Sequence, residues 1–418
     1  MSDQDHPSNA RRRILAINGG SSSIKFALFA TADSATQPQR IVGGQVERVG
    51  QPGTTLVIAG ADGKTTERRP VTAATHEEAA EHLIDGLLAR LGSSELAGIG
   101  HRIVHGGTKL LEHQLFSDEV VAELKRSIPL DPAHLPREIA LVEAFYRRFP
   151  SVPQVACFDT AFHRDLPRAA ALLPIPRSFL DAGVRRFGFH GLSYTYLLDE
   201  LRRLAPREAV GRVVFAHLGS GASMAAVAAG RPIDTSMAFT PTAGLVMGTR
   251  PGDLDPGLLV YLMREQKFTP ERLDDWLNHD CGLLGVSAFS ADVRDLLGAR
   301  QTDMRAADAI ELFCYQARKW IGAFAAAMGG LDALVFSAGI GERSPDIRAE
   351  ICAGLEHLGV RLDATRNQAV HGEAASISAH DSRIVVFVIP TDEEIVIARI
   401  VSGMIREEMQ NAGRKTKK

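Results

Sequence analysis

Cysteine is scarce in this chain of 418 residues: Cys157, Cys281, Cys314 and Cys352 stand far apart, with no CxxC and no Cys/His spacing. That argues against a disulfide framework and a structural zinc site, and it fits a reducing cytoplasmic setting. An excess of one charge is lacking too. The 47 basic and 50 acidic residues leave a formal net charge of -3, and the basic residues are dispersed apart from short clusters at the two ends. Such a chain has no electrostatic footprint for a nucleic-acid partner. No stretch approaches the ~18 consecutive apolar residues that a membrane span requires, and Arg11-Arg12-Arg13 leads into only a brief apolar run before Asn18. Neither secretion nor membrane anchoring is indicated. Walker A (GxxxxGK[ST]) and a Rossmann GxGxxG after the first strand are also missing, so a phosphate would have to be held by some other device.

What is present is the composition of an ordinary globular protein, 45% hydrophobic and 23% charged, with length enough for two domains. Arg13–Ile17 reads as a buried strand, Asn18–Ser23 as a turn and Ile24–Phe29 as a returning strand. The same unit recurs about 200 residues later: strand Val213–Ala216, turn His217–Ser223, strand Met224–Val227. Between them helical patterns such as Glu77–Leu91, Glu138–Phe145 and Ala306–Met328 alternate with apolar strands such as Val155–Phe158 and Ala333–Phe336. That alternation is the pattern of an α/β protein with mixed sheets. Strand Ile384–Ile389 precedes Pro390-Thr391-Asp392-Glu393-Glu394, which opens a helix. The two glycine-rich tips can bring backbone N–H groups and hydroxyls onto a phosphate. Ser337–Glu342 reads as a third glycine turn, ahead of a helix start at Ser344-Pro345.

Across these blocks the chain resembles the acetate kinase family. The segments that carry the resemblance are Asn18–Lys25, Gly100–Gly107, Phe158–His163, Arg186–Gly191, His217–Ser223, Asp234–Met237, Gly244–Arg250, Ser290–Asp295, Ala338–Glu342 and Pro390–Glu394. They follow the family's order over roughly residues 13–405. The resemblance implies an actin/hexokinase/Hsp70-like duplicated two-domain fold with mixed β-sheets and flanking helices, phosphoryl transfer between Mg·ATP and a short-chain carboxylate, and a homodimer. It divides the chain into residues 11–160 plus 394–410 for acyl and phosphoryl binding and 161–393 for the nucleotide. Residues 1–10 and 411–418 are left as frayed tails.

By motif position, Arg102 and Arg250 grip carboxylate and migrating phosphoryl group, a task suited to the guanidinium fork. His190 donates to the equatorial oxygens, and Asp159 is either part of the chemistry or the group that orients Arg102 or the carboxylate substrate. Val104, His134, Phe189 and Pro241 are implied around the acyl group. Ser21, Ser23 and Lys25 line the terminal phosphate; His217, Gly219 and Gly221 take the phosphate tail; Asp292 and Arg294 take base and ribose; Gly339, Ile340 and Gly341 take the adenine. Asn18, Glu393 and Asp159 are the candidates for Mg2+ (or Mn2+), an ion that needs only one or two carboxylates beside phosphate oxygens and water. Several positions depart from the family pattern: Ser220 for Asn, Leu192 and Tyr194 for Thr and His, Arg343 for Asn, and Ala133 for Leu. Ala133 is expected to enlarge the acyl pocket so that propionate and butyrate are accepted at least as well as acetate, each added buried methylene being worth about 0.8 kcal/mol. The alternatives are a propionate/butyrate-type acyl kinase, a non-catalytic paralogue or a nucleotide-driven switch of the same fold.

Overall fold

The computed structural model describes residues 12–20, 23–31, 37–91 and 96–415. The expectations for residues 1–10 and for Ser21 lie outside the described residues. The chain forms two compact units, one running to Ala161 and resuming at Asp392, the other spanning Phe162–Thr391.

In the first unit the strands are β1 (Arg12–Gly19), β2 (Ser23–Thr31), β3 (Gln39–Glu47), β4 (Thr55–Gly60), β5 (Thr65–Pro70), β6 (Leu96–Ile103), β7 (Gln114–Leu115) and β8 (Gln154–Phe158). They make one sheet in the order β5-β4-β3-β2-β1-β6-β8-β7. β1 is apolar on both faces because both are covered. Leu15, Ile17 and Ile99 pack with side chains of the helices His76–Leu91 and Leu135–Arg148. On the opposite face the helix Glu393–Lys415 lies against β1 and β6. Its approach depends on glycine, since a Cβ on Gly98 or Gly100 would stand 2.8 Å or 2.6 Å from a methyl of Val401. This helix carries on to Lys415, so 411–415 is not a frayed tail as expected.

The second unit holds β9 (Arg212–Leu218), β10 (Ala222–Ala228), β11 (Arg231–Thr235), β12 (Ala333–Ser337), β13 (Ala375–Ser376) and β14 (Val385–Val388), in the order β11-β10-β9-β12-β14-β13. Val213, Phe215, Ala225, Val227 and Val335 form its core with Tyr194, Leu197 and Leu201 of the helix Gly191–Leu204. The helix Met304–Met328 packs against β9, β10 and β11. The sheet repeats the order and sense of β3-β2-β1-β6-β8-β7: an antiparallel hairpin, two parallel strands beyond its first arm, and a short antiparallel edge. The two glycine-tipped hairpins seen in the sequence thus occupy equivalent places in two copies of one plan.

Ser337–Glu342, read as a turn, departs from expectation. Ala338–Arg343 is a short helix leaving β12 directly, with Ala338 at φ 63. The left-handed residue turns the chain at once, and the next helix begins at Pro345.

Candidate active site

In the first unit the hairpin tip closes with the Gly20 N–H donating to the Ser23 carbonyl at 2.7 Å. Asn18, still within β1, is paired across the hairpin with Lys25. Its amide nitrogen donates to Glu393 at 2.8 Å and Glu394 at 3.2 Å, and its oxygen accepts from Arg102 Nη1 at 3.1 Å. Arg102, near the end of β6, sends Nε (3.0 Å) and Nη2 (2.6 Å) to Oδ2 of Asp159, the first residue after β8. Glu393 Oε2 lies 3.8 Å from Arg102 Nε. Parallel strands β1, β6 and β8 therefore end side by side and deliver Asn18, Arg102 and Asp159 to one edge, where the helix beginning at Glu393 adds its acidic first turn. Burial works against the charge on Arg102, but the carboxylates of Asp159 and Glu393 outweigh it and hold the guanidinium above its ordinary pKa. Glu394 is pushed up, by burial first and then, against the opposing pull of Lys25, by Asp392 and Glu393.

Asp159 has no exposed side-chain surface, and its Oδ2 is engaged by Arg102. Lys25 is exposed and Ser23 is half-buried. Arg40 fastens Asp392 at 2.7 Å, which ties the chain's return at residue 392 to this unit. His134 Nδ1 lies 2.8 Å from Asp131. Together with Ala133, Gly19, Gly20, His76, Arg137, Glu138 and Leu141 it lines a small cavity behind the hairpin tip. Val104 is not among those walls. It is buried, its N–H donating to Glu138, one of those walls, at 3.1 Å and 3.2 Å. Ala133 thus shares this cavity with Gly19 and Gly20 of the first hairpin.

In the second unit His190 stands at φ 57, a left-handed position for which histidine is one of the better-tolerated residues, and opens the helix Gly191–Leu204. Its Nδ1 lies 2.8 Å from Ser223 Oγ, and its ring stacks on His217 at 4.2 Å between centroids. His217 Nδ1 lies 2.9 Å from Ser193 Oγ, itself 2.9 Å from Thr391 Oγ1. The hairpin tip is tight, Gly219 N–H donating to the Gly221 carbonyl at 3.0 Å, while Ser220 contributes its carbonyl to Gly248 N at 2.9 Å. Gly221 makes room for two functional groups: a Cβ there would meet Arg250 Nη2 at 2.6 Å and His190 Nε2 at 3.6 Å. Arg250 is fixed by Nη1 donating to the Pro241 carbonyl at 2.6 Å. The second hairpin is thus a backbone cradle beside an imidazole and a guanidinium, an arrangement that suits an anion gaining charge in a transition state.

The Acetokinase family model matches residues 13–399. An acetate kinase of Rhodopseudomonas palustris is 43% identical over 390 residues, covering 93% of this chain and 97% of that one. Among solved structures, an acetate kinase of Porphyromonas gingivalis superposes with a TM-score of 0.83 at 34% identity, covering 94% of this chain and 100% of the other. A propionate kinase of Francisella tularensis gives 0.85 at 33%, with the same coverage. The chain belongs to the acetokinase family.

It carries the duplicated actin/hexokinase/Hsp70-like fold of these relatives. The remaining nucleotide candidates of this acetokinase-family chain fall in the second unit. Gly339, Ile340 and Gly341 sit on the Ala338–Arg343 helix, adjoining the second hairpin, because Ser337 pairs with His217; a Cβ added to Gly219 would lie 3.6 Å from Ala338. A Cβ on Gly339 would meet nothing within 4 Å, which leaves the backbone approachable there. Asp292 caps the helix Val293–Ala299 and pairs with Arg294, whose side chain is 88% exposed. That pair has the form of a surface ion pair. Glu394, Ser223, Ser193 and Thr391 were not singled out in the sequence. Glu394 and Ser223 lie inside matching motifs, but nothing in their spacing announces their partners. Phe189 and Pro241 are buried.

Proposed function

We propose that the protein catalyses reversible phosphoryl transfer between ATP and the carboxylate of a short-chain acid, giving an acyl phosphate and ADP. A carboxylate oxygen is already a nucleophile at neutral pH, so catalysis rests on positioning and charge neutralisation. The observation that carries this reading is the convergence of Arg250 Nη2 and His190 Nε2 on the Cβ-less backbone of Gly221. Arg250 and His190 neutralise the migrating phosphoryl group, His217, Gly219 and Gly221 hold the phosphate tail, and Arg102 binds the carboxylate with its fork oriented by Asp159. Ser23 and Lys25 serve the terminal phosphate, Asp292 and Arg294 the base and ribose, and Gly339 to Gly341 the adenine. Val104, His134, Phe189 and Pro241 serve the acyl group. Of the candidate groups Asn18, Ser23, Lys25, Arg102, Val104 and His134 belong to the first unit, and Phe189, His190, Pro241, Arg250 and the nucleotide-binding residues to the second.

The Glu393 carboxylate and Asn18 Oδ1 are oxygen ligands of the kind Mg2+ takes and would hold it by giving up their present bonds to Asn18 Nδ2 and Arg102, with Glu394 beside them. The ion supplies charge neutralisation on the phosphate oxygens. Four buried free thiols fit a cytoplasmic setting, and no helix among the described residues is long and apolar enough to cross a membrane. Acetate is the first acceptor to consider and propionate the second, in view of the Francisella tularensis relative.

The test is ATP-dependent acyl hydroxamate formation from acetate, propionate and butyrate. Product that Arg250→Ala or Arg102→Ala lowers by about 10²–10³-fold supports the reading. Glu393→Gln should raise the Mg2+ concentration needed for half-maximal rate. Absence of product with every acid, while nucleotide still binds, would sink it.

A further inference from the structure

We infer that Tyr194 is a positioning residue for His190, acting through Ser223 to hold the imidazole in the tautomer that presents a proton at Nε2. The inference rests on the acyl-kinase reading. Ser223 Oγ, fully buried, stands 2.8 Å from His190 Nδ1 and 2.5 Å from the Tyr194 hydroxyl, itself buried. A serine hydroxyl has one proton and two lone pairs. If that proton goes to Nδ1, the neutral ring carries its own proton on Nε2, the atom facing Gly221. The Ser223 lone pairs are then open to the Tyr194 O–H. With the phenol donating, the reverse arrangement, in which Nδ1–H donates to Ser223 and Nε2 is left as an acceptor facing an anion, would fill both serine lone pairs and leave the buried Ser223 proton with neither His190 nor Tyr194 to accept it. Without the phenol Ser223 is free to turn. The stack on His217 fixes the plane of the ring but not its tautomer, so the hydroxyl relay supplies what stacking cannot.

Tyr194 lies one turn along the helix that His190 opens, its N–H donating to the His190 carbonyl at 3.0 Å. Its ring packs among Phe162, His163 and Phe215, so the oxygen is delivered from a rigid base. Phenylalanine would keep the ring and remove only the donor.

The experiment compares wild type, Tyr194→Phe, Ser223→Ala and the double variant in acetyl hydroxamate formation, with ATP and acetate varied separately and thermal unfolding as a check on folding. The expected result is kcat lowered about tenfold in each single variant, KM values for ATP and acetate within about twofold, and a double variant no worse than Ser223→Ala, because both changes break one relay. An unchanged kcat in Tyr194→Phe, equal rises in KM, or losses that multiply in the double variant would overturn the inference. If Tyr194→Phe does not fold, Ser223→Ala alone must show the loss confined to kcat, and an unchanged kcat there also overturns it. A wild-type protein that makes no hydroxamate removes the acyl-kinase reading and this inference with it, whereas active wild type with unaffected variants removes only the inference.

Discussion

His101 lies edge-on to Phe116 and Phe145, its Nε2 2.7 Å from Gln154 and its Nδ1 without a hydrogen-bond partner among the described residues. Burial pushes its pKa down to about 4, and His163 is pushed equally far by the same cause. Each folded ring therefore binds fewer protons than the unfolded one. The associated stability is complete above the ordinary value near 6.5 and is lost as pH falls toward 4, amounting to about 2 kcal/mol per ring at pH 5. Thermal unfolding should show a midpoint that drops between pH 7 and pH 5, and His101→Leu should flatten part of that slope while lowering the plateau, since Gln154 loses its partner. An acid slope unchanged by the substitution would refute the assignment. His101 lies in the Gly100–Gly107 segment, but nothing in the sequence marks it as buried among 14 histidines. Arg348 was equally hidden: fully buried, it spends its donors on Asn367 and on the carbonyls of Gly341, Glu342 and Val370, and so braces the C-terminal end of the Ala338–Arg343 helix.

Among the elements, the two hairpins were legible because a buried apolar run, a glycine-rich tip and a second apolar run are a local signal. The Ala338–Arg343 helix was not, because glycine at 339 and 341 reads as a turn. The helix packs against β9 and β12, where a Cβ on Gly341 would stand in ordinary contact, 3.6 Å from the Ala216 carbonyl. The glycines of β6 have another purpose, admitting the Glu393–Lys415 helix. Gly100→Ala should cost about 1–3 kcal/mol through overpacking against Ile397 and Val401. It should also lower activity, because that helix begins at Glu393 and the same strand carries Arg102. Denaturant melts would check the first effect and hydroxamate formation the second; a variant as stable as wild type would mean that the helix shifts without penalty.

At the scale of the whole molecule, one sheet plan appears twice, and each copy places a glycine hairpin where its parallel strands end. The second unit also has a surface that its own core leaves uncovered. The helix Pro256–Glu265 buries none of its residues and exposes Leu258, Val260, Tyr261 and Met263, with Leu254 just before it. We propose this face as the one that the homodimer implied by the family resemblance would bury. Light scattering on purified protein should give the mass of a dimer, and Tyr261→Glu should shift it toward the monomer; a wild-type monomer at micromolar concentration would reject the proposal. The sequence by itself determined the α/β class, the paired hairpins and, through the order of its motifs, the family, because these depend on local patterns and on residue identities. Only the tertiary structure decided which side chains meet: Asn18 with Glu393, Arg102 with Asp159, Ser223 between His190 and Tyr194. Those partners lie 29 to 375 positions apart in the chain, and their pairing follows from strand register and helix packing, which no local pattern encodes.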